Sequence, residues 1–169
     1  MLRQLLTPDW LATTTLAQLP LEQLLDHGIR ALVLDVDRTL LPRRHTSIPP
    51  SAEQWLRHAL LQLPIHLLSN NPSRHRIGSV ADQLGLAYTT SAGKPRRSAL
   101  RRVLNELGLP PSQVALVGDR IFTDVLAGNR LGLYTVLVKP IDPDGQPCPH
   151  DRLQNLELRL ARWMGSGTH

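Results

Sequence analysis

Cysteine is almost absent from this sequence: Cys148 is alone among 169 residues. A single thiol excludes an intramolecular disulfide framework and suits a reducing compartment. Aromatic residues make up only 4%, which argues against base stacking as a main mode of binding. Lysine is scarce too, with Lys94 and Lys139 set against seventeen arginines. Nowhere do eighteen apolar residues run together, so no membrane-spanning helix is expected. Neither repeats nor a low-complexity linker interrupt the chain. The opening "MLRQLLTPDWLATTTLAQLP" is apolar, but Pro8 and Asp9 break any signal-peptide core and no cleavage site follows. It reads as mature structure.

With 41% hydrophobic and 20% charged side chains, residues 1–169 read as one domain with a substantial core. Nineteen basic against fourteen acidic side chains give a net charge of +5. That balance admits nucleic acid, an anionic membrane or a phosphorylated metabolite as partner, and selects none of them. Arginine's planar fork suits phosphate; a general bias of composition towards arginine accounts for the count equally well.

Five apolar runs alternate with helical patterns. The runs are "ALVLDV" (31–36), "PIHLLS" (64–69), "LAYTT" (86–90), "VALVG" (114–118) and "YTVLV" (134–138). They are rich in Val, Leu and Ile without alternation, as strands covered on both faces are. Helices are expected over 51–62, 73–84, 95–108 and 121–131, with Ser51 and Ser73 as N-caps and Gly85, Gly108 and Gly132 as stops. Residues 1–30 read as a helical leader packed on the core. A last amphipathic helix, 151–163, carries Leu153, Leu156, Leu160 and Trp163 on one stripe. Before it lies a Pro-rich surface loop, "KPIDPDGQPCPHD" (139–151). The alternation predicts an α/β fold: a doubly wound, Rossmann-like, mostly parallel sheet of about five strands with helices on both faces.

In such folds ligands sit beyond the carboxyl ends of the strands. The first run ends in Asp35 and Asp37, which point to the same side of an extended chain. Two unit charges about 4 Å apart repel by roughly 4 kcal/mol at an effective dielectric near 20. A nucleophile with an acid/base partner would account for the pair, and so would a solvated turn. Ser69 and Asn70, in "HLLSNNP", can face a phosphate or merely turn the chain before Pro72. Lys94, in "SAGKPR", can offset phosphoryl charge or be an ordinary surface lysine. In "LVGDRIFTDV", Asp119 and Asp124 can share a hard cation, which prefers oxygen ligands, or serve as a cap and a surface acid.

Together, in this order and at strand ends, the four sites say more. "DVDRT", "LLSNN", "GKP" and "GDRIFTD" resemble the four motifs of the haloacid dehalogenase (HAD) superfamily of phosphohydrolases. The match covers about residues 20 to 140. Over the longer stretches "LTPDWLATTTLAQLPLEQLLDHGIRALVLDVDRTLLP" and "VGDRIFTDVLAGNRLGLYTVLV" the chain resembles the YqeG-type branch of subclass IIIA, related to mitochondrial phosphatidylglycerophosphate phosphatases. Many members carry Asn where this chain has Arg38.

The resemblance implies an aspartyl-phosphate route. Asp35 is the implied nucleophile and Asp37 the proton donor and acceptor. Mg²⁺ is the implied cofactor, held by Asp35, the Asp37 carbonyl, Asp119 and Asp124. Ser69 would hold phosphoryl oxygens and Lys94 offset their charge, with Thr39, Asn70 and Arg38 as further phosphate contacts.

The gaps between Asp37 and Ser69 and between Ser69 and Lys94 leave no room for a cap domain. An open site suits a phosphate carried on something large. Arg38, Arg43, Arg44, Arg74, Arg76, Arg96 and Arg97 are expected around its mouth, either docking acidic lipid or forming a solvated basic face. In the leader, Leu2, Leu5, Leu6, Trp10 and Leu11 suit a shallow membrane contact or, more simply, packing on the sheet. The expectation is a cytoplasmic phosphatase at the inner face of a membrane, acting on phosphatidylglycerophosphate. Alternatives are a phosphatase for nucleic-acid ends or a soluble phosphometabolite, and a non-catalytic binding module. The oligomeric state is left open.

Overall fold

Every residue of Ala31–Leu34 is buried, and this run forms the strand that two others flank at the middle of the sheet. The computed structural model describes residues 1–148 and 150–165. Pro149 of the Pro-rich loop and the end of the domain span, 166–169, lie outside the described residues.

Six strands form one parallel sheet: β1 (Trp10–Leu11), β2 (Ala31–Leu34), β3 (Ile65–Leu68), β4 (Ala87–Thr89), β5 (Val114–Gly118) and β6 (Tyr134–Leu137). Their order is β1-β6-β5-β2-β3-β4. The expected five strands are present, and the leader adds a sixth. Trp10 and Leu11 pair with Val136 and Leu137, and the next amide, Ala12 N, donates to Leu137 O at 2.9 Å. Residues 1–30 are therefore not simply helical. They run as α1 (Leu2–Leu5), β1, a 3₁₀ turn at Leu16–Gln18 and α2 (Leu21–Asp26).

The remaining helices are α3 (Pro50–Leu60), α4 (Arg74–Leu84), α5 (Ser98–Leu107), α6 (Leu126–Leu131) and α7 (Arg152–Trp163). Alternate strand residues feed opposite faces. Leu32, Leu34, Leu67 and Val117 pack with Leu56 of α3 and Ile77 of α4. Ala31, Val33, Leu68 and Leu116 pack with Leu100 and Val103 of α5. Each buried Leu, Ile or Val among them contributes about 1.5–3 kcal/mol over leaving it in water. This is the doubly wound α/β arrangement the sequence predicts.

Ser73 caps α4, its hydroxyl accepting from Arg76 N. Ser51 caps nothing: α3 begins one residue earlier, at Pro50, whose missing N–H needs no partner at a helix start. Helices α4, α5 and α6 stop at Gly85, Gly108 and Gly132, all left-handed. Ahead of α6 the chain makes a π-helical turn, Ile121–Val125, an irregularity that often marks functional positions.

The apolar stripe of α7 does not face the core. Its buried residues are Gln154, Glu157, Leu158 and Ala161, while Leu156, Leu160 and Trp163 are exposed. The polar pair faces inward because it has partners there. Gln154 Nε2 donates to Asp119 O at 2.9 Å and Val138 O at 2.8 Å. Glu157 accepts from Arg120 Nε and Ile121 N, both at 2.8 Å.

Candidate active site

Asp35 follows β2 and Asp119 follows β5, and these strands are neighbours where the strand order reverses. From β2 the chain winds outward through β3 and β4, and β5 returns on the other side. An open parallel sheet leaves a crevice at that point. Asp124 reaches the same place from the π-helical turn. Its approach needs a glycine below it: a Cβ at Gly118 would overlap the Asp124 carboxylate.

Asp35, Asp119 and Asp124 are all buried, and each offers a carboxylate oxygen within 4.8 Å of the others. Lys94 is buried among them. Its ammonium donates to Asp35 Oδ1 at 2.9 Å and Asp124 Oδ1 at 2.6 Å. Burial alone would lower the Lys94 pKa, but Asp124 and then Asp35 outweigh it and raise it. The acids are not equally satisfied. Burial, then the charge of Asp35, pushes the Asp124 carboxyl up to about 6 despite Lys94. Asp119 is raised well above the usual range by burial and by Asp35 and Asp124, with Arg38 only partly opposing.

One ammonium offsets only one of the three carboxylates, so ionising all three leaves two negative charges without a partner. A buried all-oxygen donor set with that surplus fits a hard divalent cation such as Mg²⁺.

The residues around this cluster fall into two groups. Thr39 Oγ1 donates to Asp35 Oδ2 at 3.3 Å. Ser69 is buried after β3, and its hydroxyl accepts from Asn71 N at 3.0 Å. Asn70 borders the cleft above the cluster. Its side chain clamps the Lys94 backbone, donating to Lys94 O at 3.0 Å and accepting from Lys94 N at 2.8 Å. Arg38, too, is occupied: its guanidinium pairs with Asp151, the N-cap of α7. The Arg38 backbone is left-handed, with φ 65°, a conformation Asn tolerates better than most residues. This is a physical reason for the Asn found there in many members of the superfamily that the motifs resemble.

Asp37 stands at the mouth, paired with Arg76 and accepting from Asn71 Nδ2 at 3.3 Å. Neither partner is evident in the sequence. Asn71 is the second Asn of "LLSNN", and Arg76 reads only as one of the mouth arginines. Arg76 also ties down the loop after β2 through Pro42 O at 3.2 Å and His45 O at 2.9 Å.

A cavity of about 310 Å³ opens over these groups, lined among others by Asp35, Asp37, Asn71, Lys94, Asp119 and Leu153. Arg38, Arg43 and Arg120 also line it; Arg44, Arg74, Arg76, Arg96 and Arg97 do not. Residues 35–49 are loop, and α4 alone fills the space between β3 and β4, so no cap domain covers the cavity among the described residues. No helix among them is long and apolar enough to cross a membrane.

Comparison with known proteins bears on the family and the fold. The HAD-hydrolase-like family matches residues 91–140. YqeG of Bacillus subtilis, a phosphatase by name, is 28% identical over 142 residues, 83% of this chain and 81% of its own. The chloroplastic phosphatidylglycerophosphate phosphatase 1 of Chlamydomonas reinhardtii is 28% identical over 152 residues. That alignment takes in 84% of this chain but only 56% of the algal protein. A solved HAD subfamily III A hydrolase from Legionella pneumophila has the same fold at a TM-score of 0.51, with 18% identity over 75% of this chain and 72% of that one.

Proposed function

We propose that this chain, a HAD-type phosphatase, is a Mg²⁺-dependent phosphomonoester hydrolase whose substrate is phosphatidylglycerophosphate. The observation that carries the mechanism is the cluster of Asp35, Asp119, Asp124 and Lys94 at the switch point of the sheet.

Asp35 attacks the phosphorus through a carboxylate oxygen. A P–O(Asp35) bond forms as the bond to the glycerol oxygen breaks, and Asp37 gives that oxygen its proton. Asp37 then takes a proton from a water that attacks the same phosphorus. The P–O(Asp35) bond breaks, orthophosphate leaves, and both carboxyl groups return to their first state. Lys94 and Thr39 fix the rotamer of Asp35, so the attacking oxygen is oriented before substrate arrives. Arg76 and Asn71 hold Asp37 at the mouth. Ser69 steadies the backbone of "LLSNN" by accepting from Asn71 N. Asp35, Asp119, Asp124 and the Asp37 carbonyl would hold the cation. When bound it supplies positive charge beside the phosphoryl oxygens.

Two features favour a lipid substrate: the named activity of the phosphatidylglycerophosphate phosphatase relative and a cleft with no cap domain over it among the described residues. An uncapped cleft admits a headgroup whose remainder stays outside. The test is phosphate release by the purified chain with Mg²⁺ from phosphatidylglycerophosphate, oligonucleotide 5′-phosphates and small phosphate esters. The proposal expects kcat/KM for the lipid to exceed that for the others by at least about 10²-fold, the scale of about 3 kcal/mol of differential binding. Equal turnover of all three would overturn the lipid assignment.

A further inference from the structure

The apolar stripe of α7 begins at the catalytic cavity and runs out into solvent. Leu153 lines the cavity. Beyond it Leu156 is 53% exposed, Leu160 42% and Trp163 85%. At about 100° per residue these four side chains fall within an arc of about 80°, and at about 1.5 Å rise the stripe extends about 15 Å. It is not the helix's packing face. Gln154, Glu157, Leu158 and Ala161 occupy that sector and are buried. A third sector, on the far side of the stripe from that face, holds Arg152, Arg159 and Arg162. All three are exposed, and none of them forms an ion pair among the described residues. The one acid of α7, Glu157, is buried against Arg120.

We propose that α7 is the element that docks this protein on an anionic lipid surface, its leucines and Trp163 entering the acyl boundary while the three arginines meet headgroups. The inference rests on the lipid-phosphatase reading, since a lipid phosphate must reach the cleft.

Three observations select a bilayer as the occupant. The stripe is continuous with the cavity wall at Leu153, so a surface covering it brings headgroups to the cleft. The flank is basic with no exposed acid, and Arg43 extends the positive charge to the cavity itself. A helix with a basic flank, a leucine stripe and a terminal Trp is built to lie in a membrane interface. The docking helix is also rigidly joined to the catalytic loops, through Asp151 to Arg38, Gln154 to Asp119 and Glu157 to Arg120. Its depth in the membrane therefore sets the height of Asp35 above it.

The test compares the full chain with a Leu156→Gln, Leu160→Gln, Trp163→Gln variant. These side chains face solvent, so the variant is expected to fold and to hydrolyse a small soluble ester at the wild-type rate. Binding is measured by co-sedimentation with vesicles of phosphatidylglycerol and of phosphatidylcholine, without substrate. The proposal expects wild type to bind the anionic vesicles and the variant to bind at least tenfold more weakly. Turnover of phosphatidylglycerophosphate in vesicles should fall to match, and that of its short-chain soluble analogue should not. Wild type that binds vesicles through the stripe but never hydrolyses the lipid would leave docking standing and remove the substrate assignment. Equal vesicle binding by wild type and variant would overturn docking. So would a wild type that ignores vesicles and sediments as a dimer that the variant dissociates, which would make the stripe a contact between copies.

Discussion

The Lys94 ammonium lies 2.9 Å from the Asp35 carboxylate and is buried with it. This pair makes a prediction about rate. Removing the charge in Lys94→Met frees Asp35 to rotate and strips one cation from the phosphoryl site. The loss of one preorganised electrostatic partner lowers kcat by about 10²–10³-fold. Steady-state kinetics at saturating Mg²⁺ check this. A loss of less than tenfold would show that Lys94 is not part of the reacting site.

A second prediction concerns metal and stability. Without metal, Asp35, Asp119 and Asp124 repel one another, so Asp119→Asn should raise the melting temperature in EDTA. With Mg²⁺ at a hundred times its dissociation constant, wild type should gain about 2.7 kcal/mol of unfolding free energy. The variant should lose most of that gain. Calorimetry with and without Mg²⁺ reads both effects, and the opposite signs separate a ligand from a structural acid.

Arg38 sets two effects against each other. Replacing it with Asn relieves the left-handed backbone of a long side chain, at about 1 kcal/mol, but removes a charge-assisted bond to Asp151 that contributes about 1.5–3 kcal/mol. The expected net result is a loss of about 1 kcal/mol. Hydrogen exchange should quicken in α7, which Asp151 caps. A more stable Arg38→Asn variant would show that the Asp151 contact contributes little.

His66 supplies a pH prediction. Burial, only partly opposed by Glu106, lowers its pKa from 6.5. The unfolded chain therefore binds a proton at a higher pH than the folded one does. In the window below about pH 6.5 and above the folded pKa, stability falls as pH falls. His66→Gln, whose amide can take the place of Nε2 beside Thr89, carries no such proton. Its unfolding free energy should decline less between pH 7 and pH 5 in urea denaturation. Parallel curves for the two proteins would contradict the account.

Much of this was legible in the chain itself. The runs around β2, β3, β5 and β6 are dense enough in branched apolar residues to declare themselves, and the acids at their ends follow from position alone. β1 is not legible, because Trp10 and Leu11 become a strand only by pairing with β6, more than a hundred residues away. The facing of α7 is likewise hidden. Its leucine stripe has the period of a core face, yet Gln154 and Glu157 take that side through bonds to Asp119, Val138, Arg120 and Ile121. The same limit explains Asn70. Nothing local to "LLSNN" reveals that its amide closes on the backbone of Lys94.

The central claim, a phosphoryl group carried on Asp35, is tested most directly by trapping it. Wild type turning over substrate is quenched in acid, digested and sequenced by mass spectrometry. The account predicts a phosphoryl adduct on Asp35 in wild type and none in Asp35→Asn, which should also be inactive. An adduct on another residue, or steady turnover by Asp35→Asn, would contradict it.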